Sequence, residues 1–168
     1  MGSYIITFII SVGIVFSQPA FADQFGLFSG TIKVLDGDSM KMGQRHVRLF
    51  GIDAWELYQT CPDRSGKTFD CGQQAKKALQ KLISGQKVTC KSITQDKHRR
   101  WVARCSVSDQ DIGGTLVSQG WATAYQYFSR RYLPMEKAAR KQKVGGWAGL
   151  PDHPPINPRT WRKNNPRK

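Results

Sequence analysis

Acidic residues are scarce in this chain: 12 Asp and Glu stand against 26 Lys and Arg, a formal net charge of +14 over 168 residues. That imbalance points to polyanionic partners (nucleic acid, anionic lipid or acidic polysaccharide) or else to a merely soluble basic protein. The four cysteines include no C-x-x-C pair, which argues against a zinc site. The three histidines, His46, His98 and His153, lack ligand spacing, so none is assigned to a metal. The apolar run at residues 4–16 is shorter than the roughly 20 residues that a membrane-spanning helix needs. No internal repeat is present, and the length allows one domain with a real core but not two comfortable ones.

The first 22 residues carry no Lys, Arg, Asp or Glu, and Pro19-Ala-Phe-Ala22 ends in the small-x-small pattern that signal peptidase accepts. A signal peptide at 1–22, cut before Asp23, is therefore expected, giving a secreted or periplasmic protein with no stable membrane span. The n-region lacks a basic side chain, so an uncleaved anchor is the rival reading. An even number of cysteines suits an oxidising compartment. Residues 87–94 and 101–107 read as a hairpin around a four-residue loop, 96–99, which sets Cys90 opposite Cys105. Cys61 and Cys71 bracket a loop of polar and turn residues. The expected disulfides are Cys61–Cys71 and Cys90–Cys105, each contributing about 2–4 kcal/mol by restricting the unfolded chain.

Alternating apolar residues predict strands at 28–35, 39–42 and 47–52. Ala75, Ala78, Leu79, Leu82 and Ile83 keep helical spacing, predicting a helix over 72–84 that Gly85 stops. A short helix is expected at 114–120, and a basic one at 134–144 with Met135, Ala138 and Ala139 inward. The Pro-rich basic tail, 150–168, should be extended or irregular, leaving 23–149 as the folded domain. Periodicity alone supports a small α+β domain.

The chemistry concentrates in Asp36-Gly-Asp-Ser39 and Val47-Arg-Leu-Phe-Gly-Ile-Asp-Ala-Trp-Glu56. Two separated carboxylates suit a hard, oxygen-seeking cation. An arginine presents a planar fork that matches phosphate oxygens and stays charged. A glutamate just past a strand suits general-base work. Asp96-Lys-His-Arg-Arg100 adds a second arginine at the end of a hairpin.

Together with Leu116-Val-x-x-Gly-x-Ala122 and Glu136-x-x-Ala-Arg140 followed by Gly145-x-Trp147, these motifs resemble the staphylococcal (thermonuclease-like) nuclease family over residues 28 to about 148. The resemblance implies a mainly β, five-stranded OB-fold barrel with three helices. It implies Ca²⁺ held by the carboxylates of Asp38 and Asp53 and the main-chain carbonyl of Ala54. Glu56 would activate or orient the attacking water, and Arg48 and Arg100 would grip the scissile phosphate. Tyr125 and Tyr127 would stack a base, and Lys97 would meet a terminal phosphate. The implied reaction is calcium-dependent hydrolysis of DNA or RNA, leaving 3′-phosphate ends, by a monomer.

Three departures bear on this. Trp55 replaces a proline and could add a stacking surface. Arg99 replaces a glycine and His98 an aromatic, and Arg99 takes strain if that position needs φ > 0; a one-residue slip of the loop would let it stand in for Arg100. The Cys61–Cys71 insertion follows Glu56 directly. A non-catalytic binding module for nucleic acid or acidic polysaccharide is the alternative, the latter because Pro158-Arg-Thr-Trp-Arg162 is similar to the ending of nuclease-like proteins assigned to exopolysaccharide biosynthesis.

Overall fold

A computed structural model describes residues 26–149 and 153–166. The expected signal peptide lies outside the described residues. Eleven short strands and four α-helices are formed among them: β1 (Leu27–Phe28), β2 (Ile32–Val34), β3 (Ser39–Met42), β4 (Arg45–Leu49), β5 (Ile52–Ala54), β6 (Cys61–Pro62), β7 (Thr68–Phe69), α1 (Cys71–Ile83), β8 (Val88–Gln95), β9 (Trp101–Val107), β10 (Gln110–Asp111), α2 (Ile112–Ser118), β11 (Ala122–Ala124), α3 (Leu133–Gln142) and α4 (Pro158–Asn164). A 3-10 turn at Gly145–Trp147 precedes the tail.

The main sheet runs β1-β8-β9-β4-β3-β2, with β10 on the side of β9. The first predicted strand, 28–35, breaks at residues 29–31, and its halves attach to opposite ends of that path, β1 to β8 and β2 to β3. The chain thus curls the sheet in an OB-like way, but among the described residues no ladder closes it, so the expected closed barrel is not formed there. A second correction concerns the helix count. The fourth helix, α4, forms within the tail expected to be extended: Asn157 caps it by accepting from the Arg159 N–H (3.0 Å), with Pro158 at its first turn. No described helix is long and apolar enough to cross a membrane.

The predicted strand 47–52 is also divided. Gly51 takes φ 75°, turning the chain out of β4 and into β5, which leaves the main sheet to pair with β11 (Asp53 opposite Thr123). That turn lets Asp53, on β5, meet Arg48, on β4. Helix α1 buries Ala75, Leu79 and Ile83 as its spacing predicts; a fully buried Leu contributes about 1.5–3 kcal/mol. Helix α3 is rotated from expectation. Glu136 and Ala139 are its buried residues, while Met135 and Ala138 face outward. Glu136 goes inside because its carboxylate accepts from the Ala124 N–H (3.1 Å) and pairs with Arg140. A purely hydrophobic pattern could not show that.

Both disulfides are present, Cys61–Cys71 and Cys90–Cys105. The β8–β9 register places Cys90 opposite Cys105 but shifts by one residue between Ser92 and Thr94, so Gln95 faces Trp101. The loop is therefore 96–100, five residues where four were expected. Asp96 organises it, accepting from the N–H groups of His98 (2.9 Å) and Arg100 (3.0 Å). Arg99 is forced into the left-handed region at φ 61°. That conformation costs a non-glycine residue about 1–2 kcal/mol. Arg99→Gly is accordingly expected to raise stability by up to about 1 kcal/mol, less the extra freedom glycine has when unfolded. Arg99→Ala should give no such gain. Urea unfolding midpoints of the two variants check this, and a lowered midpoint for Arg99→Gly contradicts the strain.

Candidate active site

The site is built where the Asp36-Gly37-Asp38 turn meets β4, β5 and the start of α1. The turn is self-supporting: Asp36 Oδ1 accepts from the Asp38 N–H (3.0 Å). It lies flat on its neighbours because Gly37 has no side chain; a Cβ there would come within 2.7 Å of the Ala54 Cβ and 2.9 Å of the Ala75 Cβ. This close approach lets Asp38 accept from the Ala54 N–H (3.2 Å) and brings the Asp38 carbonyl onto the Leu49 N–H (2.8 Å). Asp38 and Asp53 are 5% and 1% exposed, so these carboxylates are floor, not surface.

Arg48, on β4, joins them. Its Nη2 lies 3.0 Å from Asp38 Oδ2 and 2.7 Å from Asp53 Oδ1. The Asp38 carboxylate, then Asp53, outweigh burial and raise the Arg48 pKa, so the guanidinium stays charged. Asp36 is pushed up to about 6, by burial first and by the Asp38 charge second. Asp53 is also raised, again chiefly by burial, against the opposing pull of Arg162 and Arg48.

Glu56 follows β5 and is held from behind by a residue the sequence reading missed. Gln59 is fully buried; its Oε1 accepts from the Glu56 N–H (3.1 Å), and its own N–H donates to the Glu56 carbonyl (2.7 Å). Gln59 Nε2 donates to the carbonyl of Ile156 in the tail (2.6 Å). Nothing in the local sequence distinguishes this glutamine from a surface one. The Cys61–Cys71 bridge and its small β6–β7 hairpin begin two residues later, fixing the same segment to α1. Trp55 proves to be core and not a stacking surface: it is 1% exposed, donates from Nε1 to the Gly120 carbonyl (2.8 Å) and meets Trp147 edge-on.

The second omission is larger. Arg162, from α4, lays its guanidinium on the site: Nη1 on Asp53 Oδ1 and Nη2 on Asp53 Oδ2, each at 2.9 Å, with Nη1 also donating to Glu56 Oε1. Burial alone would lower its pKa, but the bonds and charge of Asp53, then Glu56, raise it instead. The sequence offered Arg162 only as the end of the Pro158-Arg-Thr-Trp-Arg162 motif in a basic tail, with nothing to connect it to the carboxylates.

The remaining predicted residues lie around this cluster. Arg100 ends the hairpin loop, where its Nε (2.8 Å) and Nη2 (2.7 Å) are both bonded to Asp96 Oδ2, so it is not drawn into the carboxylate cluster. Lys97 and Arg99 are exposed at the tip. Tyr125 is half-buried and Tyr127 is 72% exposed, their rings 5.5 Å apart. They border a cavity of about 390 Å³ shared with Thr123, Asn157 and Arg159. Thr123 links this cavity to the cluster by donating to the Asp53 carbonyl (3.0 Å).

Among the described residues no three His, Cys, Asp or Glu side chains come together as a ready metal cage. Asp38 and Asp53, buried carboxylates joined by Arg48, are oxygen donors of the kind that would hold a hard cation completed by waters, with the Ala54 carbonyl next to Asp53 in the chain. The fit is conditional, because Arg162 covers both oxygens of Asp53.

Residues 46–149 match the family described as Staphylococcal nuclease homologue. Among curated proteins, the chain is 28% identical over 127 residues to the Succinoglycan biosynthesis protein ExoI of Rhizobium meliloti, covering 74% of this chain and 66% of that one. It is 32% identical over 139 residues to an Uncharacterized endonuclease of Haemophilus influenzae, covering 79% and 71%. It is 29% identical over 171 residues to a Micrococcal nuclease of Shigella flexneri, covering 91% and 88%. The chain thus spans just under two thirds of the first of these relatives.

Gly72 tests how tightly Glu56 is seated. A Cβ there would overlap the Glu56 carbonyl oxygen. Helix propensity alone would make Gly72→Ala stabilising by about 1 kcal/mol. The contact reverses the sign: a loss of about 1–3 kcal/mol is expected as α1 is pushed from the Glu56 backbone. Gly30→Ala, whose Cβ would stand 3.4 Å from Met42 Cγ, should change little. Denaturant unfolding of the pair decides, and a stabilised Gly72→Ala removes the argument.

Proposed function

The chain belongs to the staphylococcal nuclease homologues, and from that premise we propose that it is an exported, calcium-dependent nuclease hydrolysing phosphodiester bonds of DNA or RNA. The observation that carries this reading is the convergence of Asp38, Asp53, Glu56 and Arg48 on one buried-floor site. Relatives bearing endonuclease and micrococcal nuclease names support the reaction class.

Asp38, Asp53 and the Ala54 carbonyl would hold the cation once Arg162 withdraws. When bound, it polarises a phosphoryl oxygen and neutralises developing charge. Glu56, held at its backbone by Gln59, accepts a proton from the attacking water. Arg48 keeps its charge and offers donors to the phosphate oxygens, whose negative charge grows as water adds. Arg100 joins in by sharing or leaving Asp96. Tyr125 and Tyr127 offer ring faces to bases at about 1–3 kcal/mol per base. Cleavage leaving 3′-phosphate ends, as in the family, completes the proposal.

A second reading has specific support. Arg162 on the carboxylates and Arg100 on Asp96 are both arrangements of a resting surface, and one relative is named for succinoglycan biosynthesis. A non-catalytic binder of nucleic acid or of an acidic envelope polymer would need no more.

Hydrolysis of single-stranded DNA separates the two. The wild-type protein should cleave with Ca²⁺ and not with chelator. Glu56→Gln should lose about 10²–10⁴ in turnover while keeping its salt-sensitive DNA affinity. Equal cleavage by Glu56→Gln sinks the mechanism, and binding without cleavage in the wild type moves the chain to the second reading.

A further inference from the structure

Helix α4 reaches two functional positions at once. Arg162 forks onto both oxygens of Asp53 and bonds Glu56. One turn earlier, Arg159 lies 4.0 Å over the ring of Tyr127, on a face a base would use. The helix is moored by the Gln59–Ile156 bond. These attachments are almost wholly polar. Pro158 is the one buried residue of α4, and no residue of 153–166 belongs to the apolar core. Arg162 is one-third exposed, so a competing ion can reach the pair it makes with buried Asp53, whereas an apolar anchor offers an ion nothing to compete for.

A guanidinium fork and a coordinated cation need the same lone pairs. With Arg48 and Arg162 both on Asp53 Oδ1 and Arg162 also on Oδ2, a cation reaches that carboxylate by displacing a guanidinium, and the charges they bring, one positive against two, compete for it.

We propose that Arg162 and a divalent cation are mutually exclusive occupants of Asp53, and that Arg162 also ties up the Glu56 carboxylate, making α4 a built-in competitor that withholds the site until it is displaced. The proposal rests on the nuclease reading for the identity of the cation. Displacing α4 also uncovers the Tyr127 ring, so cation and nucleic acid favour the same open form. A protein whose competent form is a minority binds its ligand more weakly by that fraction. A helix docked nine-tenths of the time therefore weakens apparent cation affinity about tenfold.

Calorimetric titration with Ca²⁺ of wild-type protein and of Arg162→Ala reads this directly. The variant should bind Ca²⁺ about tenfold or more tightly. Hydrogen exchange on the wild-type protein gives a readout that needs no variant: Ca²⁺ should speed exchange of the Trp161 and Asn165 amides, which donate to Asn157 and Trp161 within α4. Equal affinities with unchanged exchange overturn the competition while leaving calcium-dependent cleavage intact. Weaker calcium binding by Arg162→Ala overturns it too, making Arg162 a support of the site. Absence of calcium binding in both proteins removes the competition together with the calcium reading.

Discussion

Buried negative charge is the constraint around which this molecule is arranged. Asp36, Asp38 and Asp53 crowd the junction of a turn and two short strands, with Glu56 at its edge. Removing such charges from water costs several kcal/mol per ion unless cations and donors answer them. Arg48 answers Asp38 and Asp53 together but is one charge against several. Burial first, and the Asp38 charge second, push Asp36 up to about 6, and burial raises Asp53 against the opposing pull of Arg162 and Arg48. Something cationic must complete the balance, and in this structure it is Arg162.

Much of the surrounding architecture serves to keep those carboxylates in place against their own repulsion. Gly37 allows the turn to press on Ala54 and Ala75. Gly72 allows the first turn of α1 to touch the Glu56 carbonyl, and the Cys61–Cys71 bridge ties that turn to the chain beyond Gln59. Trp55, buried between Glu56 and the core, replaces the rigidity of a proline by a hydrogen bond to Gly120 and a ring contact with Trp147. Geometry of this kind is built from close backbone approaches, which survive only small side chains at the contact points.

The sequence made legible whatever depends on local pattern and side-chain chemistry. Helix α1, the β8–β9 hairpin and the pairing of Cys90 with Cys105 follow from periodicity and register. The carboxylates and Arg48 stood out because their residue types and order have a chemical purpose. What stayed hidden depends on long-range meetings. The break at Gly51 hides inside a continuous apolar alternation, yet it turns β5 toward β11. The shift between Ser92 and Thr94 lengthens the loop that presents Arg100 without altering the alternation on the rest of the hairpin. Glu136 looks like a surface charge until Ala124 and Arg140 are seen beside it. Arg162 lies 109 positions from Asp53, and no spacing rule connects them.

The same charge balance weighs on the choice between enzyme and passive binder. A surface meant only to hold a polyanion gains from cations at its centre and loses from carboxylates there, because both repel or attract the phosphates directly. This basic chain nevertheless gathers Asp38, Asp53 and Glu56 around the guanidinium groups of Arg48 and Arg162, with Asp36 in the turn beneath them. Such a cluster attracts a phosphate only when a cation sits between them. Arg162 could serve as that cation in a binder, but its fork is spent on Asp53 and Glu56, leaving little to offer a phosphate. A divalent ion would have coordination positions to spare for phosphate oxygens and water, which is the physical ground on which the nuclease is proposed ahead of the binder.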